Sequence, residues 1–260
     1  MAYFKDKVVF ITGASRGIGL CIAKRLAQDG ANIVIAAKTD TPHPKLPGTI
    51  YTAAKEIEQL GGSALPIKVD IRNEDDIKTA FNQTIEHFGK LDILINNASA
   101  IFLSTIENTD QKHYDLMHQI NGRGSFLCTK YAIPYLKKSD NPHILNASPP
   151  VDILTQPFAK LGSAYIAAKL LMTMWTITQA PELAPHGIAV NSIWPSGAID
   201  TAAIRNLMPQ FLASAHKPEM VADACYILLQ KDSRKFSGHC LIVEELLKQH
   251  GITDLSPYKC

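Results

Sequence analysis

Short apolar runs recur along the chain, and most are followed by a longer segment of helical period. Residues 8–12, 32–36, 64–69, 93–96, 143–147, 188–193 and 240–243 are the runs, several of them β-branched. Helical patterns follow, with Ile18, Cys21, Ile22, Leu26 and Ala27 on one stripe before Gly30. Others cover residues 73–88, 110–135, the stretch opened by Ser163, and 218–230. Strands that are apolar throughout, rather than alternating, belong to a parallel sheet covered on both faces. Repeated strand–helix units therefore predict one α/β domain over residues 1–260, an open doubly wound sheet of about seven strands. A closed eight-stranded barrel needs more units than the pattern supplies. Ligands of such a sheet sit beyond the carboxyl ends of the strands, so the informative residues are those just after each run.

Bulk composition narrows the function. With 26 basic and 24 acidic residues spread along 260 positions, a nucleic-acid or membrane-surface role driven by charge is excluded. No stretch reaches the length of an apolar membrane span. The five cysteines are odd in number, far apart and without a C-x-x-C pair, which predicts a reduced, cytoplasmic protein. In that setting the N-x-S/T matches at Asn82, Asn97 and Asn146 are chance. Nine scattered histidines show no metal-ligand spacing; His113 and His118 are five apart and do not share a helical face.

The first run ends in TGASRGIG, residues 12–19, and a helix opens there. Gly13, Gly17 and Gly19 allow a sharp turn, close approach to a pyrophosphate, and helix–sheet packing. The helix N-terminus then offers free N–H groups and a positive dipole to phosphate. This strand–turn–helix context predicts dinucleotide binding. Further on, Tyr165 and Lys169 are spaced i and i+4, so on a helix their side chains leave one face. Alone, such a pair also reads as a core tyrosine beside a lysine that reaches for water.

G-x-x-x-G-x-G at 13–19, NNAS at 96–99, Asn121, Ser148 and Y-x-x-x-K at 165–169 occur in an order that resembles the short-chain dehydrogenase/reductase family, over about residues 5–243. The stretches AAKTDTPHPKLPGTIYTAA and HILNASPP resemble its hydroxysteroid-dehydrogenase-like branch, some members of which carry a C-terminal sterol-carrier domain that this sequence does not show. The resemblance implies a Rossmann-type fold and a nicotinamide cofactor held by Gly13, Ser15, Arg16, Gly17, Ile18 and Gly19. It also implies that Asp70 bonds the adenine beside the Ile71 backbone, that Asn97 and Ala98 line the ribose, and that Thr201 bonds the nicotinamide amide. Asn96 and Asn97 read equally well as structural turn-formers. Hydride transfer is the cofactor's chemistry, and the protein must supply position and a proton. Tyr165 would be the general acid/base, its pKa lowered by the Lys169 ammonium, which also holds the ribose. Ser148 would hydrogen-bond the substrate oxygen. Asn121, in a stretch where Gly122 and Gly124 weaken regular helix, would bond a backbone group and hold a water for proton relay.

An NAD enzyme places a carboxylate at the end of the second strand to bind the ribose hydroxyls. That position reads Ala36-Ala37-Lys38, without an acid. Lys38 and Arg16 would bind a 2′-phosphate, which favours NADP(H) over NAD(H); His43 and Lys45 are further candidates for that pocket.

The chain also departs from the family pattern. Ser148 and Tyr165 are 17 apart, and the insert between them offers Leu154 and Phe158 as substrate wall. Pro195-Ser196 stands where Pro-Gly is usual, which leaves the backbone grip on the nicotinamide amide open. VEELLKQHG replaces an acidic-Gly-Gly ending, so a homo-oligomer is expected without a stated size. Pro181 is expected to kink or end the Tyr165 helix. Residues 194–216, with Ile204, Leu207, Met208, Phe211 and Leu212, read as a helical lid over an apolar carbonyl or alcohol substrate, or simply as core or interface. The alternative function is a non-catalytic dinucleotide sensor on the same fold.

Overall fold

A computed structural model describes residues 2–44, 46–152 and 162–260. Seven strands form one parallel sheet in the order β3-β2-β1-β4-β5-β6-β7. They are β1 (Val8–Thr12), β2 (Asn32–Ala37), β3 (Ser63–Lys68), β4 (Ile93–Asn96), β5 (His143–Ala147), β6 (Ala189–Trp194) and β7 (Cys240–Ile242). The predicted doubly wound α/β fold is the observed one.

Alternation along each strand sends successive side chains to opposite faces, and both faces are buried. Val9, Ile11, Ile33, Ile35, Ile93 and Ile95 pack under α1 (Gly17–Ala27), α2 (Ile50–Glu58), α8 (Glu219–Leu228) and α9 (Val243–Gln249). Val8, Phe10, Val34, Leu94, Ile144 and Val190 pack under α3 (Glu74–Phe88), α5 (Ser125–Leu136) and α6 (Ser163–Leu183). Phe10 stacks on Phe81 of α3 with ring centroids 4.5 Å apart. Two-sided burial explains why the strands read as continuous apolar runs.

Local sequence sets the helix ends. Asn73 caps α3 by accepting from the Asp75 N–H at 3.0 Å, three acids occupy its first turn, and Gly89 ends it in the left-handed region. Two elements differ from the sequence reading. Helix α2, capped by Thr49 and Thr52, follows the proline-rich stretch of residues 39–48 and is not among the helical patterns read above. The long helix expected over 110–135 is instead α4 (Gln111–Met117), a π-helical turn (His118–Gly124) and α5. Pro181 lies inside α6, which stops two residues later at Leu183. Among the described residues no helix is long and apolar enough to cross a membrane.

The strand order reverses between β1 and β4, so their carboxyl ends open a crevice at the switch point. The glycine turn follows β1, the NNAS turn follows β4, and Ser148 follows β5.

Candidate active site

The two loops at the switch point are bound to each other. Asn97 Nδ2 donates to the carbonyls of Thr12 at 2.9 Å and Gly13 at 3.2 Å. The backbone N–H groups of Asn97 and Ala98 each donate to Thr12 Oγ1 at 3.0 Å. A Cβ at Gly19 would lie 2.5 Å from Asn97 Nδ2 and 2.7 Å from the Gly13 carbonyl, so only glycine fits. Arg16, at the N-cap of α1, makes no side-chain cap, which leaves the helix N–H groups for a ligand. Ser15 is buried at the turn, and Ile18 packs into the core below it. A tightly shaped cradle with free helix donors fits a dinucleotide pyrophosphate. Asn97 thus positions the cradle. Asn96 is structural: its Nδ2 donates to Asn146 Oδ1 at 2.9 Å and Thr129 Oγ1 at 3.2 Å in the buried sheet.

The four residues expected at the reacting centre are all buried: Asn121, Ser148, Tyr165 and Lys169. Tyr165 and Lys169 lie on the first two turns of α6. Lys169 Nζ donates to the Ala147 carbonyl, next to Ser148, and lies 3.3 Å from Met172 Sδ. It also sits 5.3 Å from the ring centroid of Trp194 at the end of β6. Burial lowers the Lys169 pKa to about 7. The Tyr165 phenol shares a hydrogen bond with Ser99. Burial pushes its pKa above the ordinary tyrosine value, and the Ser99 bond opposes that only in part. The direction is opposite to the lowering expected from Lys169, because desolvation of the phenol dominates. Ser148 Oγ is fully buried and makes no hydrogen bond among the described residues, which leaves its donor and acceptor for a ligand oxygen.

Asn121 grips one residue twice. Its Oδ1 accepts from the Ala100 N–H at 2.9 Å and its Nδ2 donates to the Ala100 carbonyl at 3.0 Å. It sits mid-way through the π-helical turn, where the wider ladder frees backbone groups; Trp175 Nε1 donates to the Gly122 carbonyl at 3.2 Å. The backbone bond expected of Asn121 is therefore the loop after NNAS.

At the β2 end, Lys38 Nζ lies 3.7 Å from Asp70, whose carboxylate is also held by Arg72 through Nε at 2.9 Å. Arg72 keeps the Asp70 carboxyl well below its usual range. Arg16 donates to the carbonyls of Pro47 at 2.8 Å and Gly48 at 2.7 Å. Both cations are thus engaged within the protein. Ile71 is buried, His43 forms a backbone bridge with Leu46, and Lys45 lies outside the described residues.

The segment after β6 spans the crevice. Trp194 faces Lys169 at one end; at the other, a Cβ on Gly17 would lie 3.5 Å from Thr201 Cγ2. Thr201 also caps α7 (Ala202–Leu207). Beyond it Met208 is buried, whereas Leu207 and Phe211 are exposed, so the expected lid is only partly packed. Leu154 and Phe158 lie outside the described residues. Sequence reasoning missed a different apolar wall: Ile101, Phe102 and Leu103 pack around Tyr165, Ala164 and Ile166. Its signal was the IFL run directly after the NNAS turn.

Comparison with known proteins agrees with this geometry. The family described as short chain dehydrogenase matches residues 7–210. Hydroxysteroid dehydrogenase-like protein 2 from Homo sapiens is 51% identical over 251 residues, 96% of this chain and 59% of the relative. The Danio rerio protein of the same name is 51% identical, with 96% and 60% covered. The chain spans about three-fifths of the length of the curated relatives it matches. A solved short chain dehydrogenase from Mycobacterium thermoresistibile superposes with a TM-score of 0.91 at 48% identity, covering 99% of this chain and 91% of its own.

Proposed function

The chain belongs to the short-chain dehydrogenase family, and from that premise we propose that it is an NADP(H)-dependent oxidoreductase interconverting a carbonyl and an alcohol on an apolar, lipid-like substrate. The observation that carries the reading is Ser148 Oγ, buried and without a hydrogen-bond partner among the described residues, beside the backbone that Lys169 grips. A fully buried hydroxyl left unsatisfied costs stability and is retained where a substrate oxygen completes it.

The nicotinamide, when bound, supplies or accepts the hydride. In reduction Tyr165 gives its phenolic proton to the substrate oxygen, and Ser148 donates a second hydrogen bond to that oxygen as negative charge grows there. In oxidation the phenol takes the proton back. Lys169, one turn along α6, holds the cofactor ribose and supplies positive charge that favours the phenolate. Asn121 fixes Ala100 and with it the loop carrying Ser99, the hydrogen-bond partner of Tyr165.

Absence of an acid at the end of β2, with Lys38 there and Arg16 across the turn, supports NADP(H). Lys38 leaves an exposed ion pair of little worth to reach a phosphate. Ile101, Phe102 and Leu103 around Tyr165 support an apolar substrate. The described cysteines are free thiols, in keeping with a cytoplasmic setting. Exposed Phe126 on α5 and Met174 and Ile177 on α6 supply the apolar face through which copies of the chain would associate.

The test is NADPH consumption with a panel of apolar ketones and aldehydes, for wild type and Tyr165→Phe, alongside direct NADPH binding. Turnover in wild type that falls at least about a hundredfold in the variant, with binding retained, is the expected result. Tight binding with no turnover by wild type across the panel would instead favour a dinucleotide sensor.

A further inference from the structure

We propose that Glu244 is a positioning residue that sets the loop after β6 against the nicotinamide half of the cofactor. The inference rests on the dinucleotide reading above. The loop from Trp194 to Thr201 runs from Lys169, 5.3 Å from the Trp194 ring centroid, to the glycine turn, where a Cβ on Gly17 would lie 3.5 Å from Thr201 Cγ2. A dinucleotide lying across the strand ends with its pyrophosphate at Gly17 and its reacting ring near Lys169 therefore has this loop along its length.

Three kinds of restraint hold the loop. Trp194 is still part of β6. Residues 198–200 pair with His216 through backbone bonds, the His216 N–H to the Ala198 carbonyl at 3.0 Å and the Asp200 N–H to the His216 carbonyl at 2.8 Å. Between them Ser196 and Gly197 are exposed, and the Ser196 N–H donates to both oxygens of Glu244, at 3.0 and 3.2 Å. Glu244 belongs to α9, on a different element, and is itself 8% exposed. A carboxylate taken that far out of water is costly unless its charge is used. Here it is aimed at the one stretch of the loop that neither the strand nor His216 restrains. The bond is made by the Ser196 main-chain N–H, so Glu244 holds the Pro195-Ser196 turn through its backbone.

The experiment compares two ligands on the full chain. NADPH and 2′-phospho-ADP-ribose, which lacks the nicotinamide, are titrated calorimetrically into wild type, Glu244→Gln and Glu244→Ala. Loss of a charge-assisted anchor should weaken NADPH about tenfold in Glu244→Ala. Glu244→Gln, which keeps one acceptor oxygen, should lose about threefold. In both, the affinity for 2′-phospho-ADP-ribose should stay within about twofold of wild type. A general packing defect would weaken both ligands alike, and a loop without contact to the cofactor would weaken neither; each outcome overturns the proposal. If Glu244→Ala does not fold, the ratio between the two ligands in Glu244→Gln decides alone. Wild type that binds neither ligand would instead refute the dinucleotide reading, and this inference with it.

Discussion

The ammonium of Lys169 donates to the backbone carbonyl of Ala147, so the lysine on α6 is tied to the strand end that presents Ser148. That tie keeps the charge in a fully buried place, and burial lowers the pKa to about 7 from an ordinary lysine value of 10.5. The folded value lies below the unfolded one, so between about pH 7 and 10.5 the unfolded chain binds the extra proton and stability rises with pH. Below about pH 7 the whole penalty is present. Lys169→Met removes the group and with it this dependence. Chemical unfolding of both proteins across that window should show wild type gaining on the variant by a few kcal/mol toward high pH. Parallel stability curves would contradict the lowered pKa.

Ser148 separates activity from stability. Its hydroxyl is buried and unpaired among the described residues, so Ser148→Ala removes an unsatisfied polar group and leaves only a small void. The variant should be as stable as wild type or more so, by up to about 1 kcal/mol. Turnover should fall roughly a hundred- to a thousandfold, because the lost donor acts where charge develops. Thermal unfolding and steady-state kinetics on one preparation check both halves. A clear loss of stability would mean that the hydroxyl has a structural partner.

The central strands β1, β2 and β4 were legible in the sequence because two-sided burial turned each into a nearly unbroken apolar run. The glycine turn and the Tyr165–Lys169 pair were legible for a similar reason: their spacing alone defines the local geometry. Helix α2 was not, because a proline-rich stretch precedes it and its capping box is closed by Thr52 in place of the Glu or Gln that marks one in a sequence. The π-helical turn was half visible in Gly122 and Gly124. What requires those two glycines is distant: a Cβ at Gly122 would lie 2.8 Å from Leu171 of α6, and one at Gly124 2.8 Å from Ile71. The wall of Ile101, Phe102 and Leu103 was visible only as the apolar run IFL, since only the folded chain brings it to Tyr165.

Asn121 should be the most structurally demanding of the four buried residues. Its amide satisfies both the N–H and the carbonyl of Ala100. Asn121→Leu strands both groups and should destabilise the protein by about 2–4 kcal/mol. Asn121→Asp keeps the acceptor for the Ala100 N–H but sets a carboxylate oxygen against the Ala100 carbonyl, so its cost should grow as pH rises above the carboxylate range. Denaturant titrations at pH 5 and pH 8 measure this: the gap between Asn121→Asp and wild type should widen at the higher pH. An unchanged gap would show that the Ala100 carbonyl turns away from the charge.

Arg16 and Lys38 should contribute unequally to a preference for NADP(H). Lys38 is paired with Asp70 at 3.7 Å with most of its side chain exposed, an arrangement worth at most about 1 kcal/mol, so it is free to turn to a 2′-phosphate. Arg16 must exchange two short bonds to the Pro47 and Gly48 carbonyls, or keep them and act at a distance. Lys38→Ala should therefore weaken NADPH about tenfold while leaving NADH within about twofold. Arg16→Ala should weaken both nucleotides, since it also releases the loop packed on the glycine turn. Fluorescence titration with NADPH and NADH separates these outcomes. Equal losses of the two nucleotides in Lys38→Ala would show that Lys38 meets no 2′-phosphate, and the case for NADP(H) would then rest on the absence of an acid after β2 alone.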